Sequence, residues 1–387
     1  MRGAGIWMCV LLGCTGTLSS AEPGAGRRDG GGGAPDAAVS FDAGPGIDGG
    51  AGVDGGPGVD AGPGEVDAGP MGEDAGPCAD VSCGANARCV PETGRCVCSE
   101  GFVDEGGACV APAPGDPATR SAMEVCDAWR DGHVENASPV WEGDGTECGP
   151  GTLPREAIDD TLRRVNLFRW LAGLPPVTDD PGQHQGMMEC AAIMSANGRL
   201  SHDPPMDWAC WTSAGAGAAG SANIAWGYGS SAAAIDGYMA DRNTPSLGHR
   251  RWILNEGLGR VGIGFSRVSS RPGQCLGVFG GGGPGSDRTW TAYPNPGPAP
   301  RALTQNDWSF HSHGVRMTSE TGAIVERVSD GMELPVMTEQ TGGFGPPPSV
   351  RIVPMGWSAE AGESYRVTIT NLSGGEEISY VVDVIDC

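Results

Sequence analysis

The chain has 387 residues, among them 67 glycines and 31 prolines, and 48 acidic against 24 basic residues leave it a formal net charge of −24. All 24 bases are arginine, which excludes chemistry that needs a lysine, such as a P-loop on phosphates or a pyridoxal Schiff base. A surface this acidic also repels phosphate backbones, so nucleic acid is not expected as a partner.

Residues 2–13 carry one early charge, Arg2, followed by an apolar run over 6–12 that is too short to span a bilayer and has the shape of an export-signal h-region. Two processing sites compete. Leu11-Leu12-Gly13-Cys14 resembles the bacterial lipobox and would make Cys14 a lipidated N-terminus, whereas Ser19-Ser20-Ala21 offers the small residues of an ordinary cleavage site. On either reading residues 1–21 are a signal segment, the protein is exported, and its cysteines can oxidise. Residues 22–77 then hold 19 glycines in 56 positions, with 11 acids against two arginines. Aspartates recur every six residues from Asp36 to Asp60, imitating a calcium-binding glycine-aspartate repeat, but that repeat has a period of nine. The composition predicts a self-repelling, disordered stalk, about 40 Å root-mean-square end to end.

Cys78, Cys83, Cys89, Cys96, Cys98 and Cys109 crowd into 32 residues, a length that cannot bury a sufficient core and needs cross-links instead. Spacing alone leaves 15 pairings open. The pattern, with Cys96-Val97-Cys98 and Gly101-Phe102, resembles the EGF-like module. That resemblance implies Cys78–Cys89, Cys83–Cys96 and Cys98–Cys109. The stretch Ala75-Gly76-Pro77 lacks the acids of calcium-binding members, so no calcium is expected.

Residues 110–154 read as a connector carrying Cys126 and Cys148. Beyond it, Ile158, Leu162, Val165, Phe168 and Leu171 recur at helical spacing and predict an amphipathic helix ended by Gly173 and Pro175. Further helices are expected over 185–197, 232–242 and 248–254, with strands over 261–265 and 289–293, an α+β unit across 155–300. From 301 to 387 the pattern turns β-like, with valine-, isoleucine- and threonine-rich runs over 350–353, 365–370 and 378–385, and predicts a small β-sandwich. Proximity along the chain suggests Cys126–Cys148 and Cys190–Cys210, leaving Cys275–Cys387.

Motifs in the α+β unit run in a recognisable order. They are Val165-Asn166-Leu167-Phe168-Arg169, Leu200-Ser201-His202, Asn223-Ile224-Ala225, Tyr238-Met239-Ala240-Asp241, Gly248-His249-Arg250-Arg251-Trp252-Ile253-Leu254 and Val261-Gly262-Ile263-Gly264. Over roughly 155–295 the chain resembles the CAP superfamily, the cysteine-rich secretory, antigen-5 and pathogenesis-related-1 group, which implies an α-β-α sandwich. The family's cleft gathers two histidines and two glutamates, sometimes around a divalent metal. By position the histidines are His202 and His249, the second acid is Asp241, and the first is Ala222, which can neither accept a proton nor orient a water.

Two functions follow from this resemblance. The first is an exported, monomeric binding protein, free or lipid-anchored on a bacterial surface, with a lipid, glycan or protein ligand in the cleft. The second is a metal-dependent hydrolase in which His202, His249 and Asp241 hold zinc with one open position. Hydrogen-bonded structural roles for both histidines are the plain alternative to the zinc site. No Gly-x-Ser-x-Gly elbow or His-Glu-x-x-His is present, and His311 with His313 offers only a weak further chelating pair on one strand face.

Overall fold

A computed structural model describes residues 77–387 apart from 79, 80, 85, 243 and 343. The signal segment, Cys14 and the 22–77 stalk up to residue 76 lie outside the described residues.

The six-cysteine segment folds as two hairpins, β1 (Ala87–Val90) with β2 (Arg95–Cys98) and β3 (Val103–Glu105) with β4 (Ala108–Val110). Its disulfides join Cys78 to Cys89, Cys83 to Cys96 and Cys98 to Cys109. These hairpins rest on the helical part of the chain. Arg88 pairs with Asp159 at 3.4 Å, Glu100 with Arg163 at 3.1 Å, and Asn166 donates to the Glu100 carbonyl.

Helix α1 (Ala122–Gly132) is capped by the Ser121 hydroxyl, and α2 (Arg155–Leu171) places Leu162, Val165, Phe168 and Leu171 in the core, as their spacing predicts. After β5 (Thr178–Asp179), α3 (Pro181–Asn197) starts a turn earlier than expected. Asp180 caps it, Pro181 suits its first turn, and Gly198 ends it with a left-handed backbone. The remaining elements of this part are α4 (Ser213–Ala219), β6 (Ala222–Trp226), α5 (Ser231–Ala240), α6 (Gly248–Ile253), β7 (Arg260–Ser266) and β8 (Gly273–Gly280). Its sheet runs β5-β7-β8-β6, with β5 parallel to β7 and the other pairs antiparallel.

Helices cover both faces of that sheet. On one side α2 and α5 bury Leu162, Val165, Ile235 and Tyr238 against Ile263, Leu276 and Val278. On the other, α3 and α4 bury Met187, Cys190, Ala191 and Ala219 against Ala222, Ile224 and Cys275. Helix α3 lies directly on the strands because the residues beneath it are glycines. A Cβ at Gly264 would sit 2.1 Å from the Met187 backbone, and one at Gly273 would sit 2.1 Å from the Ala191 carbonyl.

The C-terminal part draws in two strands that precede residue 301, β9 (Trp290–Tyr293) and β10 (Gly297–Pro300). After the short α7 (Arg301–Thr304) come β11 (Trp308–Ser312), β12 (Met317–Arg327), β13 (Met332–Leu334), β14 (Val336–Thr341), β15 (Ser349–Pro354), β16 (Ser364–Leu372) and β17 (Ile378–Ile385). One sheet runs β10-β17-β16-β12-β13 and the other β14-β15-β11-β9. Trp308, Phe310, Val350 and Ile352 of the second share a core with Val325, Val367, Ile369 and Val382 of the first. The helix and strand content is mixed, consistent with α+β.

Three cysteine pairs differ from the expectation. The structure joins Cys126 to Cys387, Cys148 to Cys210 and Cys190 to Cys275, in place of Cys126–Cys148, Cys190–Cys210 and Cys275–Cys387. The cause is packing rather than sequence distance. Cys190 is on the face of α3 that lies on the sheet, so it meets Cys275 of β8 and not the half-buried Cys210 that follows α3 in the chain. Cys126, on α1, lies beside the chain terminus and accepts Cys387. The six disulfides point to an oxidising, extracellular setting, and among the described residues no helix is long and apolar enough to cross a membrane.

Candidate functional site

Helix α5 ends at Asp241, whose backbone is left-handed at φ 48° and ψ 38°. A second non-glycine left-handed residue, the buried Leu247 at φ 49°, opens α6. Both conformations disfavour ordinary side chains, and the packing around them must hold them in place. The result is that the two ends of the 242–246 loop face each other. The His249 Nδ1–H donates to Asp241 Oδ1 at 2.7 Å, and the Arg250 amide donates to Asp241 Oδ2 at 3.1 Å.

The Asp241 side chain is fully buried, and the His249 side chain is 23% exposed. A carboxylate on Nδ1 selects the tautomer whose lone pair is on Nε2. Among the described residues Nε2 has no hydrogen-bond partner, and it is not sealed from solvent. Below the imidazole lies the Tyr238 ring, with centroids 5.1 Å apart. The Tyr238 hydroxyl donates to the Asn223 carbonyl, and the Asn223 side-chain amide donates to the His249 carbonyl at 3.0 Å. Burial holds the Tyr238 phenol well above its usual range, so it stays a neutral donor.

His202 is exposed, and its Nδ1–H donates to the Ala219 carbonyl at 2.8 Å, again leaving Nε2 as the lone-pair nitrogen. The two histidines are thus tied to one short stretch of chain, His202 to residue 219 and His249 to residue 223. Ala222 lies between those ties. It is 5% exposed and, with Ile224, belongs to the apolar cluster under α3 and α4.

The zinc arrangement expected from His202, His249 and Asp241 does not assemble. Both imidazoles have the tautomer that a metal ion requires, with the other nitrogen bonded to an oxygen acceptor. Asp241, however, has its oxygens on His249 and on the Arg250 amide, so it orients an imidazole rather than serving as a third ligand. Among the described residues no group of three or more histidine, cysteine, aspartate or glutamate side chains could hold a metal ion. His311 and His313 do not chelate together either. His311 is buried against the Ser309 hydroxyl at 2.8 Å, and His313 Nε2 meets the Thr291 hydroxyl at 3.1 Å. Burial, with Arg169 and Arg288 nearby, pushes the His313 imidazole down to about 4.

Sequence reasoning passed over the arginines behind this site. Arg250 is fully buried. It donates to the Met239 and Ala240 carbonyls at the end of α5 and to the Asp307 carbonyl and Ser309 hydroxyl at β11, so it ties the dyad to the C-terminal sheets. Arg169, also fully buried, donates to the Pro175, Ile253, Asn255 and Leu258 carbonyls, and burial pulls it down to about 9. A planar fork of donors suits clusters of carbonyls in a way that lysine does not. Their signal in the sequence was Arg169 in the first helix motif and Arg250 in the Gly-His-Arg motif.

Residues 162–279 match the family model described as CAP, the cysteine-rich secretory protein family. The match spans the helix-sheet-helix part and includes His202, Ala222, Asp241 and His249. No curated protein and no solved structure matches the chain.

Proposed function

We propose that this is an exported, surface-displayed protein whose CAP/SCP-like α-β-α head recognises a ligand at the His249 side of its cleft and does not catalyse a reaction on it. The observation that carries this reading is the state of the two acid positions. One is Ala222, turned into an apolar cluster, and the other is Asp241, with both oxygens engaged in orienting His249 and capping its helix. The two-carboxylate acid–base mechanism that the CAP pattern implies needs a carboxyl within reach of the substrate, and neither position supplies one. What the cleft offers is an imidazole of fixed tautomer with one nitrogen open to solvent, which suits recognition.

In this reading the six-cysteine segment is an EGF-like module docked on α2, and residues 22–77 are a stalk carrying a monomer away from a membrane to which Cys14 is lipid-anchored. The C-terminal sheets form a supporting sandwich. A metal-dependent hydrolase is not favoured, because Asp241 serves His249 instead of joining a three-ligand set. The test is metal content and turnover of ester, amide and glycoside substrates by the exported chain, repeated with His202→Ala and His249→Ala. No stoichiometric metal and no turnover is expected. Stoichiometric zinc lost in both variants would overturn the binding reading.

A further inference from the structure

Beside His249 the surface carries an aromatic cluster that the dyad does not use. Trp252 is three residues beyond His249 on α6, hence on the same helix face. Its indole stacks on Phe279, at the end of β8, with centroids 4.5 Å apart and planes 29° apart. Phe344, from the loop between β14 and β15, approaches both, at 6.3 Å from Trp252 and 5.9 Å from Phe279. Phe344 is 79% exposed and Phe279 46%. Contiguous exposed aromatic surface lowers solubility without stabilising the fold, so it marks a site of interaction.

The cluster is assembled rather than accidental. Its rings come from the helix-sheet-helix part and from the C-terminal sheets, and their loop is pinned. Arg251 donates to the Pro346 and Pro347 carbonyls, which fixes the segment following Phe344 against α6. Gly345 has φ +88°, and a Cβ there would lie 2.5 Å from the Trp252 ring. Only a glycine lets this loop close onto the indole.

We propose that Trp252, Phe279 and Phe344 form a stacking platform for a pyranose ring of a neutral glycan, with His249 at its polar edge. This deepens the binding-module reading and rests on it. The form of the surface selects the ligand class. An acyl chain on an open platform would keep most of its own surface in water, whereas a pyranose has one flat C–H face to lay on an aromatic ring and hydroxyls around its rim. Polar groups for those hydroxyls stand at the edge. His249 Nε2 is an open acceptor, and the Trp252 indole N–H has no partner among the described residues and is not sealed from solvent. Arg251, the charged group at the base, is engaged with carbonyls, so the platform presents aromatic faces and neutral polar groups instead of a cation for an acidic ligand.

The test titrates the exported chain with maltotriose, cellotriose and triacetylchitotriose, followed by tryptophan fluorescence and saturation-transfer NMR. At least one trisaccharide should bind. Phe344→Ala and Phe279→Ala should each weaken it about tenfold or more, and Gly345→Val should weaken it by displacing the loop. Both phenylalanines are exposed enough that their removal leaves the cores intact, and Trp226→Ala, at another exposed tryptophan, should change nothing. Absence of binding by all three sugars, or binding indifferent to both phenylalanine variants, overturns the proposal. Phe344-dependent binding to phosphatidylcholine vesicles with no sugar bound overturns the glycan assignment but leaves the binding-module reading standing. Turnover of a bound trisaccharide would instead overturn that reading.

Discussion

Ala222→Glu restores the carboxylate that the CAP pattern leads one to expect, and the structure predicts that it damages the fold instead of creating activity. Position 222 is 5% exposed and packs in a cluster with Met187, Cys190, Ala191 and Ile224. A carboxylate placed there loses its hydration with no cation among those neighbours, so it takes up a proton when that costs less. An ordinary glutamate has a pKa of about 4.3, so keeping it neutral at pH 7.5 costs about 4 kcal/mol, at 1.36 kcal/mol per unit. That figure caps the electrostatic penalty, and overpacking by four extra heavy atoms adds about 1–3 kcal/mol. The raised folded pKa makes the penalty fully present at high pH and lost as pH falls toward about 4.3. Urea unfolding of both proteins at pH 7.5 and pH 4.5 reads this directly. The variant should be about 5–7 kcal/mol less stable at the higher pH and only about 1–3 kcal/mol less stable at the lower. A small, pH-independent difference would refute the reasoning, because the new side chain would then reach water and Ala222 would line an open cleft.

Three further outcomes follow from the same structure. Peptide mapping without reduction should recover Cys126 linked to Cys387, 261 residues apart, and Cys126→Ser with Cys387→Ser should lower stability by about 5 kcal/mol in the chain-entropy account; a Cys126–Cys148 peptide would contradict the fold. Arg250→Lys keeps the charge but cannot serve four acceptors at the α5–β11 junction, so a loss of about 2–5 kcal/mol should appear in urea titration, and an unchanged midpoint would show that the junction holds without the fork. His313, ordinarily near 6.5 and pushed down to about 4, binds its proton more readily in the unfolded chain. Its contribution costs nothing above about pH 6.5, grows as pH falls, and levels off near about 3 kcal/mol below pH 4; His313→Gln should flatten that part of the stability profile, and an unaltered profile would assign the acid sensitivity elsewhere.

Much of the scaffold was legible because it depends on near neighbours. The spacing of Leu162, Val165, Phe168 and Leu171 reports a helix face, and the valine- and isoleucine-rich runs near 350, 365 and 378 report strands, since each pattern is written within a few turns or pleats. Helix α1 and strands β6 and β8 were missed. Helix α1 lies in what read as connector, and the glycines that let β8 run beneath α3 carry no strand signal of their own.

Of the site, the residue identities are written in the chain: His202, Asp241 and His249 in motif order, alanine at 222, and no lysine anywhere. What those side chains engage follows from how the elements pack. Whether Asp241 is a ligand or an orienting group depends on a left-handed helix end and on an imidazole and an amide eight and nine residues away. Whether Cys190 meets Cys210 or Cys275 depends on which helix face lies on the sheet. The aromatic platform requires rings from positions 252, 279 and 344. Contacts of that separation are set by how elements pack, and a linear pattern holds no record of a packing that brings distant segments together.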